Sequence, residues 1–151
     1  LTSLLHDDTR YPAGSRVLEA GCGIGAQTVI LAKNSPEALI TSVDISEDSL
    51  KRAGEMIRHG ELTIVTFRQG DIFGLPFVPG SFDHIFVCFV LEHLADPGRA
   101  LEHLRPLLRE GGTITVIEGD HGSTFFHPEN EDARRAVQCL VQLSSRLAAM
   151  P

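Results

Sequence analysis

The chain has 151 residues, of which 42% are hydrophobic, and this is enough for one domain with its own core. Its net charge of -7 is opposite to the positive charge that grips a phosphate backbone, so we expect no nucleic-acid partner. No apolar run approaches the ~18 residues of a membrane span, and no charged-then-apolar leader precedes the first strand. Three cysteines without metal-ligand spacing favour a reducing, cytoplasmic setting without disulfide bonds: Cys22, Cys88 and Cys139.

The first predicted strand, residues 17–20, ends in three alternating glycines, Gly21, Gly23 and Gly25. Apolar residues then recur at helical spacing, so the pattern predicts a strand, a turn and a helix. Glycines let the backbone adopt positive φ and come close to a ligand, and the helix N-terminus favours a carboxylate or phosphate. The pattern therefore predicts a ligand-binding turn, with a plain tight turn as the alternative.

The second predicted strand, residues 39–43, is followed by Asp44, about twenty residues after the glycines. At this spacing a carboxylate meets the hydroxyl pair of a ribose, which indicates a nucleoside site. Gly21-x-Gly23-x-x-Ala26 also fits the dinucleotide fingerprint, so the nucleoside stays open. Ser46 is the expected N-cap of the next helix, and Asp44 could serve as that cap instead of binding ribose.

The rest of the chain continues to alternate strands and helices. We expect a third strand over 62–67, a fourth over 82–89, a helix from Asp96-Pro97 to Gly111-Gly112, a fifth strand over 113–117 and a last helix from about 129 to 150. This alternation predicts an α/β fold with a doubly wound parallel sheet. Ligands of such sheets bind beyond the carboxyl ends of the strands, where all the candidate residues lie.

Four motifs occur together in one order: Glu19-x-Gly21-x-Gly23-x-Gly25, Asp44, Gly70-Asp71-Ile72 and Phe82-Asp83-His84-Ile85. As a set, over residues 15–118, they resemble class I S-adenosylmethionine-dependent methyltransferases. Gly70-Asp71-x-x-x-Leu75-Pro76-Phe77 and Val90-Leu91-Glu92-His93-Leu94 are similar to the branch that methylates small molecules such as quinone precursors and sterols.

The resemblance implies a Rossmann-like, three-layer α/β/α methyltransferase core formed by a single domain, residues 1–151. In that family an antiparallel strand pair follows the last helix and a helix covers the cofactor at the start. We therefore expect a domain that is truncated before the strand pair and incomplete at both ends.

The resemblance also implies how S-adenosylmethionine is held. Glycines 21, 23 and 25 would pass under the cofactor, Glu19 would lie near its methionine end, and Asp44 would hold both ribose hydroxyls. Ile45 would pack on adenine, and Asp71 would accept a hydrogen bond from the adenine amino group. Ile72 would contact the cofactor through its backbone. The whole predicted cofactor-binding set is Glu19, Gly21, Cys22, Gly23, Gly25, Asp44, Ile45, Gly70, Asp71, Ile72 and Phe89. For Asp71 the alternative is an Asx turn.

The methyl acceptor is expected to be a small molecule. The Asn/Asp-Pro-Pro-aromatic motif of amino-group methyltransferases is replaced by Val87-Cys88-Phe89-Val90, which favours carbon, oxygen or sulfur acceptors. If the acceptor must lose a proton, the candidate bases are Glu92, His93, Asp120 and His121, which could instead be turn and loop residues.

The sequence also allows three other interpretations. A metal site at Glu118, Asp120, His121 and His127 lacks a recognisable ligand spacing, so a solvated loop is favoured and no metal is expected. A nicotinamide-dependent oxidoreductase would be expected to have a Tyr-x-x-x-Lys pair, but the only tyrosine is Tyr11, ahead of the first strand. A non-catalytic domain that binds a nucleoside or a partner protein stays open.

Overall fold

The structure is a computed structural model that describes residues 9–119 and 127–148. Five parallel strands form one sheet: β1 (Arg16–Ala20), β2 (Leu39–Asp44), β3 (Val65–Gln69), β4 (Phe82–Cys88) and β5 (Leu108–Ile117). The helices are α1 (Ala26–Asn34), α2 (Glu47–His59), α3 (Pro97–Leu104) and α4 (Glu131–Ala148), with 3-10 helices at Leu91–His93 and Arg105–Leu107.

The strand order is β3-β2-β1-β4-β5, so the chain builds outward from β1 in one direction and then returns to add β4 on its other side. On one face, Leu31 and Ala32 of α1 pack against Val17, Ile40 and Phe86. The opposite face has a second apolar cluster, which contains Leu18, Ile85, Val87, Leu104 and Leu107. Helices thus cover both faces, which confirms the expected doubly wound, Rossmann-like fold.

Side chains cap two helices as the sequence predicts. The Ser46 hydroxyl accepts from the backbone N–H of Ser49 at 3.2 Å at the start of α2. The Asp96 carboxylate accepts from the N–H of Arg99 at 2.9 Å, with Pro97 as the first residue of α3. Both caps satisfy N–H groups that have no partner within the first helical turn.

The third strand differs from its prediction. It runs over Val65–Gln69, and Leu62 and Ile64, which were predicted as strand residues, pack against the core before the strand begins. Since β3 is an edge strand, its last residues Arg68 and Gln69 can be polar and exposed, and an apolar pattern does not mark them.

The predicted long helix after Asp96 is also wrong at its end. Helix α3 stops at Leu104, a 3-10 turn containing Pro106 follows, and β5 already begins at Leu108. Proline has no N–H to continue an α-helix, which explains the early end. A register shift in the pairing of β4 with β5 accommodates the two glycines that were expected to end the helix.

The last helix begins at Glu131, slightly later than predicted, because Asn130 caps it through a 2.9 Å hydrogen bond from the N–H of Ala133. Among the residues that the structure describes, no helix is long and apolar enough to cross a membrane. The domain organisation expected from the sequence stays a prediction.

Candidate functional site

A cavity of about 490 Å³ opens at the carboxyl ends of the strands. It lies where the strand order reverses between β1 and β4, which is the usual ligand position in open parallel sheets. Its volume falls within the ~300–1,000 Å³ of small-molecule sites. The lining residues are Ala20, Gly21, Gly23, Val43, Asp44, Ile45, Asp71, Ile72, Leu75, Phe89, Val90, His93 and Leu94.

The glycines after β1 serve different purposes although all three have positive φ. A Cβ on Gly21 would collide with the side chain of Val90, and a Cβ on Gly25 would lie 2.9 Å from that of Ala53, where α1 meets α2. A Cβ on Gly23 would meet no atom within 4 Å. Gly21 and Gly25 are thus required by close packing, whereas Gly23 leaves open space in the cavity.

Asp44 is held in place by the backbone at the end of β2. Its Oδ2 accepts from the N–H of Gly23 at 2.7 Å, and its Oδ1 accepts from the N–H of Ser46 at 2.9 Å. Two carboxylate oxygens offer about four acceptor positions, so capacity for a hydroxyl pair remains. The alternative of Asp44 as the N-cap of α2 is not observed, because Ser46 occupies that role. Ile45 beside it is 67% exposed and lines the cavity.

Asp71 and Ile72 line the same cavity after β3. Asp71 forms the Asx turn that is the alternative to a ligand contact, since its Oδ1 accepts from the N–H of Phe73 at 2.9 Å. Gly70 has a packing role, because its Cβ would lie 2.8 Å from the side chain of Leu75, and its N–H donates to the carbonyl of Asp44. The turn is compatible with a ligand contact, since it uses one Asp71 oxygen.

Glu19 is buried in the sheet and does not line the cavity. Its Oε2 accepts from the hydroxyls of Thr28 at 2.7 Å and Ser42 at 2.5 Å, while Oε1 has no hydrogen-bond partner among the described residues. Burial raises the pKa of this carboxyl to about 7, against the opposing effect of the two hydroxyls. Both hydroxyl residues are fully buried, and the sequence pattern did not single them out.

Cys22 and Cys88 are buried, and neither lines the cavity. Burial raises the pKa of the Cys22 thiol far above its usual value and that of Cys88 to about 11. A thiol that stays protonated is a poor nucleophile, so both cysteines act as packing residues.

The segment after β4 forms another wall of the cavity. Phe89 adopts a φ of 55°, unusual for a residue with a side chain, and Val90 lies over Gly21. The sequence motifs predict Phe89 but not Val90 as a site residue, because nothing in the glycine loop indicates that a side chain packs on it. Its position directly after the carboxyl end of a strand was the available signal.

Two of the four candidate bases can be placed. His93 lines the cavity, and its Nε2 lies 3.5 Å from Oε1 of Glu92, which is not among the lining residues. Asp120 and His121 lie outside the described residues. Of the two that are described, His93 lies at the cavity and Glu92 is its neighbour in the chain. The part of the chain that the structure describes contains no group of three His, Cys, Asp or Glu side chains able to hold a metal ion.

Comparison with protein families identifies the chain. A methyltransferase-domain model matches residues 12–147. The chain belongs to this methyltransferase family. The resemblance seen in the sequence motifs is thereby confirmed, and S-adenosylmethionine is the cofactor that class I members of the family use. The oxidoreductase alternative receives no support from the match.

Relatives of this methyltransferase domain include an uncharacterized methyltransferase of Schizosaccharomyces pombe, 35% identical over 76% of the chain and 43% of the relative. Demethylmenaquinone methyltransferase of Listeria welshimeri is 30% identical over 72% of the chain and 47% of the relative. The chain therefore spans less than half the length of these two curated relatives. The crystal structure of the [4+2]-cyclase SpnF shares the fold, with a TM-score of 0.70 at 24% identity over 97% of the chain and 56% of SpnF.

The cavity residues fit S-adenosylmethionine in three respects. Gly23 leaves room for a ligand beside the backbone, Asp44 presents a fixed carboxylate with acceptor capacity to spare, and Ile45 offers an exposed apolar surface. These features correspond to a chain running under the ligand, a ribose contact and an adenine contact. The individual ligand contacts stay predictions.

Proposed function

We propose that this domain binds S-adenosylmethionine in the cavity and transfers its methyl group to a small molecule at carbon, oxygen or sulfur. The observation that carries the proposal is the pairing of Gly23 with Asp44. The same glycine that leaves open space in the cavity donates its N–H to the carboxylate expected to bind ribose. The glycine turn and the acidic residue therefore meet at the same part of the cavity, which supports the proposal.

Three considerations support a small-molecule acceptor. The Listeria relative bears the name demethylmenaquinone methyltransferase. The cavity wall near His93 also contains Phe89 and Leu94, which suit an apolar acceptor. The net charge of -7 disfavours nucleic acid as the acceptor.

A cytoplasmic location stays a prediction that rests on the free cysteines.

When bound, S-adenosylmethionine supplies a methyl group activated by a sulfonium. The residues of this chain contribute position and shielding: the turn at Gly23 and the carboxylate of Asp44 orient the ligand, while Phe89, Val90 and Leu94 exclude water. Where an acceptor must lose a proton, His93 is the proposed base, since it lines the cavity, and Oε1 of Glu92 lies 3.5 Å from its Nε2.

The test is calorimetric titration with S-adenosylmethionine, S-adenosylhomocysteine and NAD, performed on the wild-type chain and on Asp44→Ala. We expect the first two ligands to bind. The substitution should lower their affinities about 10- to 100-fold, which corresponds to the free energy of hydrogen bonds to a charged group. Asp48→Ala is the control, since it removes an exposed carboxylate of α2.

Binding of NAD alone would overturn the proposal, as would equal affinities of the Asp44 and Asp48 variants. If the adenosyl ligands bind, incubation with labelled S-adenosylmethionine and quinone-like phenols measures transfer. Saturable binding without transfer to any small acceptor would favour the non-catalytic alternative.

A further inference from the structure

The carboxylate of Glu118 gathers three consecutive backbone N–H groups from a distant part of the chain. Its Oε1 accepts from Val90 at 3.1 Å and Leu91 at 3.0 Å, and its Oε2 accepts from Glu92 at 3.3 Å. The N–H of Phe89 donates to the carbonyl of Ile117, the residue before Glu118, at 2.9 Å. Four successive N–H groups after β4 are therefore bonded to the end of β5.

The segment after β4, residues 89–94, needs hydrogen-bond acceptors because the chain turns sharply away from the sheet at its start. Phe89 turns the chain with positive φ, and the 3-10 helix Leu91–His93 then begins without a side-chain cap from Val90. The first N–H groups of a helix lack partners within it and attract negative charge. Glu118 supplies both the acceptors and the charge from 26 to 28 residues away.

This segment forms one wall of the cavity. Phe89, Val90, His93 and Leu94 all line it, and the side chain of Val90 fills the space over Gly21. Glu118 does not line the cavity, so it acts on the site through the backbone that it holds. A shift of the segment would move Val90 off the glycine loop and carry His93 with it.

We propose that Glu118 is a positioning residue, whose carboxylate preforms the cavity wall at residues 89–94 for the ligand. Its role in ligand binding rests on the proposed function of the cavity. Its role in ordering the wall does not. Preorganised walls raise affinity because less ordering is needed when the ligand binds.

The variants are Glu118→Gln and Glu118→Ala, with Glu110→Gln in β5 as the control for loss of one negative charge. Glu110 is exposed and has none of the hydrogen bonds to the segment. In glutamine one oxygen becomes an NH₂ donor, so the carboxylate's pattern of acceptors for N–H groups is lost while the shape is kept. If alanine prevents folding, glutamine carries the test.

The first readout is hydrogen exchange of the amides of residues 90–92, compared with the buried Leu18 in β1. In Glu118→Gln we expect exchange to accelerate about tenfold at 90–92 and to stay within twofold at Leu18. Unchanged exchange at 90–92 would overturn the proposal. An equal acceleration at Leu18 would also overturn it, since it would show general destabilisation.

The second readout is the affinity for S-adenosylhomocysteine, which we expect to fall about tenfold in Glu118→Gln and to stay unchanged in Glu110→Gln. Locally faster exchange with unchanged affinity would overturn the role in ligand binding. If the wild-type chain binds no S-adenosylhomocysteine, the proposed function fails, and the exchange data alone decide whether Glu118 orders the wall.

Discussion

The backbone N–H of Gly23 donates to Oδ2 of Asp44 across 2.7 Å, joining the turn after β1 to the end of β2. The second carboxylate oxygen is bonded to the N–H of Ser46. Asp44 is therefore oriented by backbone groups on both sides before any ligand arrives. Prior orientation reduces the conformational entropy that binding would otherwise cost.

Gly23→Ala should impair binding more than folding. The new methyl group would enter open space in the cavity at a φ of 52°, so we expect a cost of about 1 kcal/mol in unfolding free energy and at least about a tenfold loss of S-adenosylhomocysteine affinity. Gly14→Ala is the matched control, with a φ of 75° and open space, outside the cavity. Equal ligand affinities in the two variants would contradict the position assigned to the ligand. Urea unfolding and calorimetry supply the two measurements.

Gly21→Ala should do the opposite. Its methyl group would collide with Val90 at a φ of 83°, and the combined overpacking and backbone strain should lower the unfolding free energy by about 3 kcal/mol. Shortening the neighbour, in Gly21→Ala with Val90→Ala, should restore part of that loss, which urea unfolding of the single and double variants would measure. A double variant no more stable than Gly21→Ala would show that the collision is not the cause.

Ile45→Ala should reduce affinity without reducing stability. The side chain is 67% exposed, so the unfolding free energy should change by less than about 0.5 kcal/mol. Contact with adenine should bury this side chain, and losing that contact should lower the affinity for S-adenosylhomocysteine about tenfold. Val78→Ala, which truncates a side chain that is 73% exposed and outside the cavity, should leave affinity unchanged. Equal affinities of both variants would argue against an adenine contact.

Glu19 should make stability depend on pH. Its pKa is raised from 4.5 to about 7 in the folded chain, so between these values the folded state keeps a proton that the unfolded state has released. The unfolding free energy should therefore fall as pH rises from 4.5 to 7, by about 3 kcal/mol at most, and level off above.

Glu19→Gln should remove that part of the pH dependence, because an amide does not titrate in this range. Unfolding by urea at pH 5 and pH 8 measures it, and Glu37→Gln, which changes an exposed carboxylate, is the control. A variant with the same pH dependence as the wild type would refute the raised pKa.

Asp83 should make the unfolding free energy depend on pH with the opposite sign to Glu19. It accepts from the backbone N–H of Arg16 at 2.7 Å and from the side chains of Arg16 and Arg109. The N–H of Arg16 is the main reason why the pKa of this carboxyl lies well below its usual 3.8. The stability it contributes is present above pH 3.8 and is lost as pH falls toward the folded-state pKa.

Asp83→Asn should lower the unfolding free energy by about 1 kcal/mol at pH 7, since both arginines are half exposed and solvent weakens the pairs. The difference from wild type should shrink below pH 3.8. Asp48→Asn, whose carboxylate is 93% exposed, should have little effect in the same unfolding measurements. A difference that grows on acidification would contradict the assigned ion pairs.

Local patterns were sufficient for much of the fold. The alternation of buried strands with amphipathic helices predicted the parallel sheet, and Ser46 and Asp96 predicted the two helix starts because capping depends on nearby residues. The edge strand β3 was misplaced, since an edge position is a property of the sheet and leaves its strand free to be polar.

The same division holds for the site. The amino-acid sequence by itself determined that Gly23 and Asp44 follow the first two predicted strands, and their characteristic separation along the chain predicts a nucleoside contact, because both features are local. Only the tertiary structure decided that Thr28 and Ser42 donate to Oε2 of Glu19, and that Glu118 accepts from the backbone after β4. Such contacts join residues far apart in sequence, so they exist only after the sheet has brought the strand ends together.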